Sequence, residues 1–321
     1  MRTLTLLLLL TRISAQGAKT TPADFGIELQ NKVTAQVLVS IQSLPNGRQE
    51  YMYTLKNSVF SQQDLLNLYV QVKVPVAKAD MIAAPGWFVG SAGIKRKLDD
   101  GSTKEVILWD SEEISALIKP GRSLGGFKLT VRSLPAIQDF LIQGYTDKAM
   151  VKMDLTEEES DVASDLQDEF KNNSFKGKTI GPDPVPEIIN LAGLIDRLAS
   201  LKHQGASLGW LGNTKFVIKL DERLDQAKAA LAKDRKKLAR TRLSQFVHDL
   251  TETRRKNEDK DRDHNDKDKD DQYREKFVSD EAFQLLKINA DFLIAKLPTK
   301  AKDRDEDDEC RRAENEKDDG R

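Results

Sequence analysis

The stretch GPDPVPEIINLAGLIDRLASL, Gly181 to Leu201, decides how this chain folds, because two rhythms meet in it. Its second part carries Ile188, Leu191, Leu194, Ile195, Leu198 and Leu201, spaced by threes and fours so that they share one face of a helix. Its first part cannot be helical. In NNSFKGKTIGPDPVP, three prolines remove backbone donors and two glycines loosen the chain. The pattern predicts a joint, with residues 154–186 as a linker that is acidic at first and then rich in proline and glycine. On either side there is room for a domain of ordinary size, since the chain has 321 residues.

Upstream of the joint the apolar positions alternate. VTAQVLVSIQ (Val33–Gln42) ends in the turn Leu44-Pro45-Asn46-Gly47, and QEYMYTL (Gln49–Leu55) and LLNLYVQVKV (Leu65–Val74) continue the beat. GWFVG, EVILWDS, FKLTV and DFLIQGY follow, with Asp99-Asp100-Gly101 placed as a hairpin turn between two of them. Alternation puts every second side chain on one face of a strand. Short strands at this spacing predict an antiparallel, immunoglobulin-like β-sandwich over residues 25–153. The runs YMYTLKNSVFSQQDLLNLYVQV, APGWFVG, LWDS, IKPGRSLGGFKL and SLPAIQDFLIQGY resemble a β-sandwich domain common in exported bacterial proteins. That resemblance covers Phe25 to Met153 and implies a fold without an activity.

Downstream the beat is helical. After the first stripe, which Leu208 extends to Gly209, a second runs Val217, Leu220, Leu224, Ala227, Leu231, and a third Leu238, Leu243, Phe246, Val247, Leu250. Ser279 is placed to cap a last helix whose Ala282, Leu285, Leu286, Asn289, Leu293 and Leu297 share a face until Pro298. These stripes predict an antiparallel four-helix bundle over residues 187–297. LIDRLASLKHQGASLGWLGNTKFVIKLDERLDQAKAAL, FVHDL and VSDEAFQLLKINADFLIAKL resemble the helical module called FIMAH, found at the C-terminal end of exported bacterial proteins. The resemblance implies an interaction module without catalytic residues. The chain departs from it at residues 251–277, a charged insertion between the third and fourth helices.

The start, MRTLTLLLLLTRISAQG, has a basic residue, a leucine run and a small-residue end, which predicts a signal peptide over residues 1–15 and a secreted or periplasmic protein. No later segment has transmembrane length. The one cysteine, Cys310, lies in a charged tail, residues 298–321, expected to be disordered. It can form no intrachain disulfide, though it offers a route to a dimer.

Several chemistries lose support on inspection. DKDRDHNDKDKDD (Asp259–Asp271) spaces its aspartates like a calcium loop, yet has His264 where the loop needs glycine and Asp270 where it needs glutamate. The insertion holds ten acids and nine bases, so its charges cancel locally instead of forming a cage. Gly177-Lys178-Thr179 ends like a phosphate-binding loop, but Asn172 stands where its first glycine belongs. There is no GxSxG elbow, no HExxH and no cysteine–histidine pair, and His203 and His248 read as structural. Asp110, Glu112 and Glu113 are acids on the strand half, but spacing elects no pair among them. The basic run Lys228–Arg242 has no interleaved aromatics, so it reads as a solvated helix face rather than a nucleic-acid site. No cofactor, metal or catalytic residue is expected. Trp87 and Trp109 are the aromatic candidates for a ligand platform, with the sandwich core as the stronger reading of both; Pro85-Gly86 puts Trp87, with Phe88 beside it, at a turn, which makes that pair the candidate ligand surface.

The expectation is an exported, non-catalytic binding or structural protein whose partner is another protein or a cell-envelope polymer. A carbohydrate-binding or carbohydrate-degrading sandwich is the alternative.

Overall fold

The computed structural model describes residues 31–97, 103–145, 174–263 and 277–298. The chain divides into two compact units at Val185/Pro186. The signal-like start, the Asp99–Gly101 turn, the acidic run Asp154–Phe170, His264, and the tail with Cys310 lie outside the described residues.

The first unit is built from β1 (Ala35–Ser43), β2 (Gln49–Asn57), β3 (Leu65–Gln71), β4 (Met81–Ile82), β5 (Trp87–Lys97), β6 (Thr103–Ser111), β7 (Ser123–Val131), β8 (Leu134–Gly144) and β9 (Phe175–Asp183). They form a four-stranded sheet, β1-β2-β7-β4, and a five-stranded sheet, β5-β6-β3-β8-β9, antiparallel throughout. This is the immunoglobulin-like β-sandwich.

The alternation in the sequence is the alternation of the core. Tyr51, Tyr53 and Leu55 of β2 and Phe127 and Leu129 of β7 are wholly buried, facing Trp109 and Ile107 of β6 and Leu68 and Val70 of β3. The aromatic rings interlock across the sheets, with Tyr53–Trp109 centroids 5.7 Å apart and Trp109–Phe127 5.8 Å apart. Burying a ring of this size contributes roughly 1.5–3 kcal/mol. The polar atom of Trp109 is satisfied as well: its Nε1 donates to the Ile82 carbonyl at 2.9 Å.

The linker assignment is corrected by β9. Phe175–Asp183 pairs along its whole length with β8, from Leu134↔Asp183 to Ile142↔Phe175. Its glycines and proline hid it, and each has a reason. A side chain at Gly177 would place its Cβ 2.4 Å from Phe140 Cζ, so only glycine lets that ring lie across β9. Pro182 sits near the end of an edge strand, where a missing donor is tolerated. Thr179 Oγ1 donates to the Val37 carbonyl at 3.1 Å, tying this edge to the other sheet. The sandwich therefore extends past residue 153. At the opposite edge, β5 breaks register between Val89 and Ser91 and again before Ile94, with Gly93 at φ 71°. Such bulges twist an edge away from pairing with a passing strand.

The second unit holds α1 (Leu191–Ser207), α2 (Thr214–Ala232), α3 (Lys236–Asp263) and α4 (Asp280–Ala295), plus the short pair β10 (Leu211–Gly212) and β11 (Phe277–Val278). Each helix packs on two others, α1 on α2 and α4, α3 on α2 and α4, closing a four-helix bundle. Caps set the boundaries. Asn190 accepts from Gly193 N, Asn213 from Lys215 N and Phe216 N, and Ser279 from Ala282 N. Gly209, at φ 73°, ends α1 in the left-handed turn that favours glycine.

The expected stripes need small corrections. Ile188 precedes the first cap and is 86% exposed, so it belongs to no helix face. On α2 the buried set is Phe216, Leu220, Leu224, Ala227 and Ala230, one residue out of step at each end with the expected one. On α3 Ala239 is buried while Leu238 is exposed. The α4 stripe is buried as read, including Asn289, whose Nδ2 donates to the Leu285 carbonyl at 2.8 Å. The charged insertion begins as helix, since α3 continues to Asp263, and it closes with β11 on β10.

Ion pairs tie these helices together. Asp249 of α3 receives Lys219 at 2.6 Å and Arg223 at 3.2 Å, both from α2. Arg240 of α3 donates to the last carbonyls around α4, Ile294 at 2.7 Å and Leu297 at 2.8 Å. No described helix is long and apolar enough to cross a membrane.

Candidate functional site

The structure separates the two residues of the candidate ligand surface. Trp87 is 5% exposed: its ring meets Phe127 edge-on at 5.1 Å, and its Nε1 donates to the Ala116 carbonyl at 2.9 Å. The turn at Pro85-Gly86 brings it inward, because Gly86, at φ 75°, packs against Ala116 too closely for a Cβ. Trp87 is core, and so is Trp109. Phe88, one residue on, points to the other face by strand alternation and is 42% exposed.

That other face is the outside of the five-stranded sheet, and strand register aligns a row of side chains on it. Phe88 of β5 stands opposite Asp110 of β6, Asp110 opposite Asn67 of β3, and Asn67 opposite Gln143 of β8. Three strand spacings make this row about 14 Å long. It deepens along its length. Phe88 is exposed and Asp110 half-buried, whereas Asn67 and Gln143 are 3% and 4% exposed.

The two amides hold each other. Asn67 Nδ2 donates to Gln143 Oε1, and the backbone N–H of Gln143 donates to Asn67 Oδ1 at 3.1 Å. Gln143 Nε2 has no partner among the described residues. A buried N–H left unmade costs about 1–3 kcal/mol. Asp110 is pushed above the ordinary carboxylate range by burial, opposed in part by the N–H of Ser111, which donates to it at 3.0 Å. The next row holds Leu108, Tyr69, Leu141 and Lys176. Beyond it Asp139 pairs with Lys178.

The bundle offers a different constellation. Lys202 of α1 has a wholly buried side chain, bonded to Asp221 of α2 at 2.5 Å and to the Val217 carbonyl at 3.3 Å. Burial lowers its pKa, and Asp221 raises it. His203 Nε2 lies 3.1 Å from the other oxygen of Asp221, on the exposed side. With no open face on the lysine, the group acts as a tie between α1 and α2. His248 is exposed.

At least three of the seven bases in the run Lys228–Arg242 have partners within the bundle. Lys228 reaches Asp196 at 2.6 Å, Arg240 the α4 carbonyls, and Arg242 the side chain of Gln245 at 2.9 Å. Among the described residues, no three His, Cys, Asp or Glu side chains converge as metal ligands would.

The polar row was not legible as a site beforehand. Its members come from four strands, and only the register unites them. In the sequence Phe88 stands with Trp87, and Asp110 with Glu112 and Glu113, which points to neither's cross-strand neighbour.

No protein-family model matches this chain. No curated protein matches it either. Among solved structures, an uncharacterised protein from Nocardia farcinica with an immunoglobulin-like fold is similar at 9% identity and a TM-score of 0.22, over 47% of this chain and 97% of that one.

Proposed function

We propose that this chain is an exported, non-catalytic binding protein that acts at the cell envelope or outside the cell, its sandwich presenting a ligand face and its bundle serving as an interaction module. The carrying observation is the row Phe88–Asp110–Asn67–Gln143. It sets an exposed aromatic ring beside a half-buried carboxylate on one sheet face, backed by two buried amides that hold each other across β3 and β8. The signal-like start supports export. The resemblance of the bundle to FIMAH supports an interaction role.

The arrangement of carboxylates supports binding over hydrolysis. Glycoside hydrolysis needs two carboxyl groups about 5–9.5 Å apart across the bond. Asp110 faces Phe88 and Asn67, neither of them an acid. Asp139, on the same face, is held by Lys178 and stands roughly 16 Å from Asp110 by strand geometry.

The test is sedimentation of the purified full-length protein with isolated cell envelopes of the producing organism. Wild type should pellet with them, and Phe88→Ala and Asp110→Ala should stay in the supernatant. Equal pelleting of all three would overturn the assignment of the face. N-terminal sequencing of the mature protein checks export, with Gln16 as the expected first residue.

A further inference from the structure

We infer that the turn Ser58–Ser61, at one end of the sandwich, docks on a bilayer surface rich in anionic phospholipid, with Val59 and Phe60 entering the headgroup region. This goes beyond the ligand face at Phe88 and concerns a separate surface. The two connections that pass between the sheets, from β2 to β3 and from β6 to β7, lie at the same end, where Leu65 and Ile118 bridge them. The first turns at Ser58–Ser61, closed by Ser61 N donating to the Ser58 carbonyl at 3.1 Å. Central positions of such a turn usually go to glycine, proline, asparagine or aspartate. Here they hold Val59 and Phe60, 70% and 86% exposed. The display is held firmly. The N–H of Phe60 donates to Ser58 Oγ at 3.2 Å, Ser61 Oγ exchanges bonds with the backbone of Thr34, and the wholly buried Asn57 donates from Nδ2 to the carbonyls of Gln63 and Ile118. Ile114, 64% exposed, stands on the second connection.

Charge chooses the occupant. Lys56 leads into the turn and Lys119 and Arg122 flank it, all three exposed. The backbone N–H of Asn57 donates to the Arg122 carbonyl at 2.9 Å and that of Gly121 to the Asn57 carbonyl at 3.1 Å. Residues 119–122 therefore lie against the turn, with Gly121 beside Val59. Against these bases stands Asp64, half-buried, where the connection leaves for β3. Glu112 and Glu113 belong to the β5 side of this end, since the N–H of Glu112 donates to the Gly86 carbonyl. The acidic run Asp154–Phe170 is connected to Tyr145 by TDKAMVKM and to Ser174 by KNN, whose three lysines and one aspartate are the nearer charges in sequence. An apolar tip with a basic rim suits anionic lipid: the rim lies among the headgroups and the apolar side chains enter between them. Phe60 stands clear of its neighbours as a protrusion. A fluid bilayer receives a protrusion without a matching pocket, whereas a protein partner needs one. Two side chains and three charges give a weak, reversible contact, which adds to binding at the Phe88 face by avidity instead of replacing it.

The experiment is sedimentation of the mature protein, from Gln16 on, with vesicles of phosphatidylglycerol and phosphatidylcholine in equal parts, and with vesicles of phosphatidylcholine alone, at moderate salt. Wild type should bind the anionic vesicles, come off them in high salt, and ignore the neutral ones. Phe60→Ser should weaken binding at least about tenfold, Val59→Ser less, and Lys119→Glu combined with Arg122→Glu at least about tenfold. Phe88→Ala should bind vesicles as wild type does, although it is expected to lose cell envelopes. Circular dichroism of each variant separates lost binding from lost folding. No binding to the anionic vesicles, equal binding to both kinds, or binding that survives Phe60→Ser and the charge reversal would each overturn the inference. Loss of envelope pelleting in Phe60→Ser without any vesicle binding would overturn it too, since the turn would then meet a partner other than lipid. None of these results touches the Phe88 face. That face fails on its own if Phe88→Ala pellets with envelopes as wild type does, and vesicle binding would remain.

Discussion

Among the described residues the buried polar side chains of the sandwich are neutral, Asn57, Asn67, Gln138, Gln143 and Thr179 among them, whereas the bundle buries a full charge at Lys202. The difference follows from what each unit can tolerate. A neutral amide may keep one N–H unmade at a cost of about 1–3 kcal/mol, and the sandwich does so at Gln143. An unpaired buried ammonium would cost far more, so Lys202 is locked onto Asp221. Lys202 is therefore a tie between helices, while the sandwich tolerates an unmade amide N–H at Gln143.

The largest expected effect tests whether the two units are separate in stability as in composition. Trp109→Ala empties the centre of the aromatic cluster and should destabilise the sandwich by about 3–5 kcal/mol. Near-ultraviolet circular dichroism should lose its transition at low temperature while the helical signal at 222 nm melts as before. A common shift of both signals would break the comparison. Next, Asp221→Ala strands the buried ammonium of Lys202 and should cost about 3 kcal/mol in the bundle's thermal or denaturant unfolding. Lys202→Met, of similar volume without the charge, should stay within about 1 kcal/mol of wild type. If the two variants are equally damaging, the tie is packing and not charge.

Arg240→Ala removes two charge-assisted bonds to the end of α4 and should cost about 1.5 kcal/mol, seen as earlier exchange of amide hydrogens in the last turn of that helix. The smallest effect belongs to Asp110. Its folded pKa lies above the ordinary value of 3.8 because burial disfavours the charge. Its contribution to stability is therefore full below pH 3.8 and lost as pH rises through the folded value. Asp110→Asn should raise stability at pH 7 by about 1 kcal/mol or less and flatten that part of the pH profile, read from denaturant midpoints. The same substitution should weaken ligand binding, a trade expected of a site and not of a structural residue.

The change of beat around Pro186 was legible because helix and strand periods follow from backbone geometry alone. So were Ser279 as a cap and the α4 face, since their partners lie within a few residues. What could not be read was whatever depends on another strand. β9 looked like linker because Gly177 is there for the ring of Phe140, thirty-odd positions earlier, and no local pattern announces that. The α2 face came out one residue off at each end, Val217 for Phe216 and Leu231 for Ala230, because only the neighbouring helices choose between adjacent apolar positions. The turn at Pro85-Gly86 suggests an exposed Trp87, but the alternating strand pattern around it already favours the core, where it lies. The polar row needs the bulge at Leu65/Asn67 to bring Asn67 opposite Gln143, and a one-residue slip would put every member on the wrong face.

The late arrival of β9 matters to anyone who wants to separate the halves. Cleaving the chain around residue 153 would discard the strip that finishes the sheet, and β8 would be left with a row of bare amide and carbonyl groups along apolar side chains. Such a fragment would recruit copies of itself and precipitate, and its loss of activity would say nothing about its ligand. Division after Val185 keeps the last strand with its sheet and the first helix with its bundle.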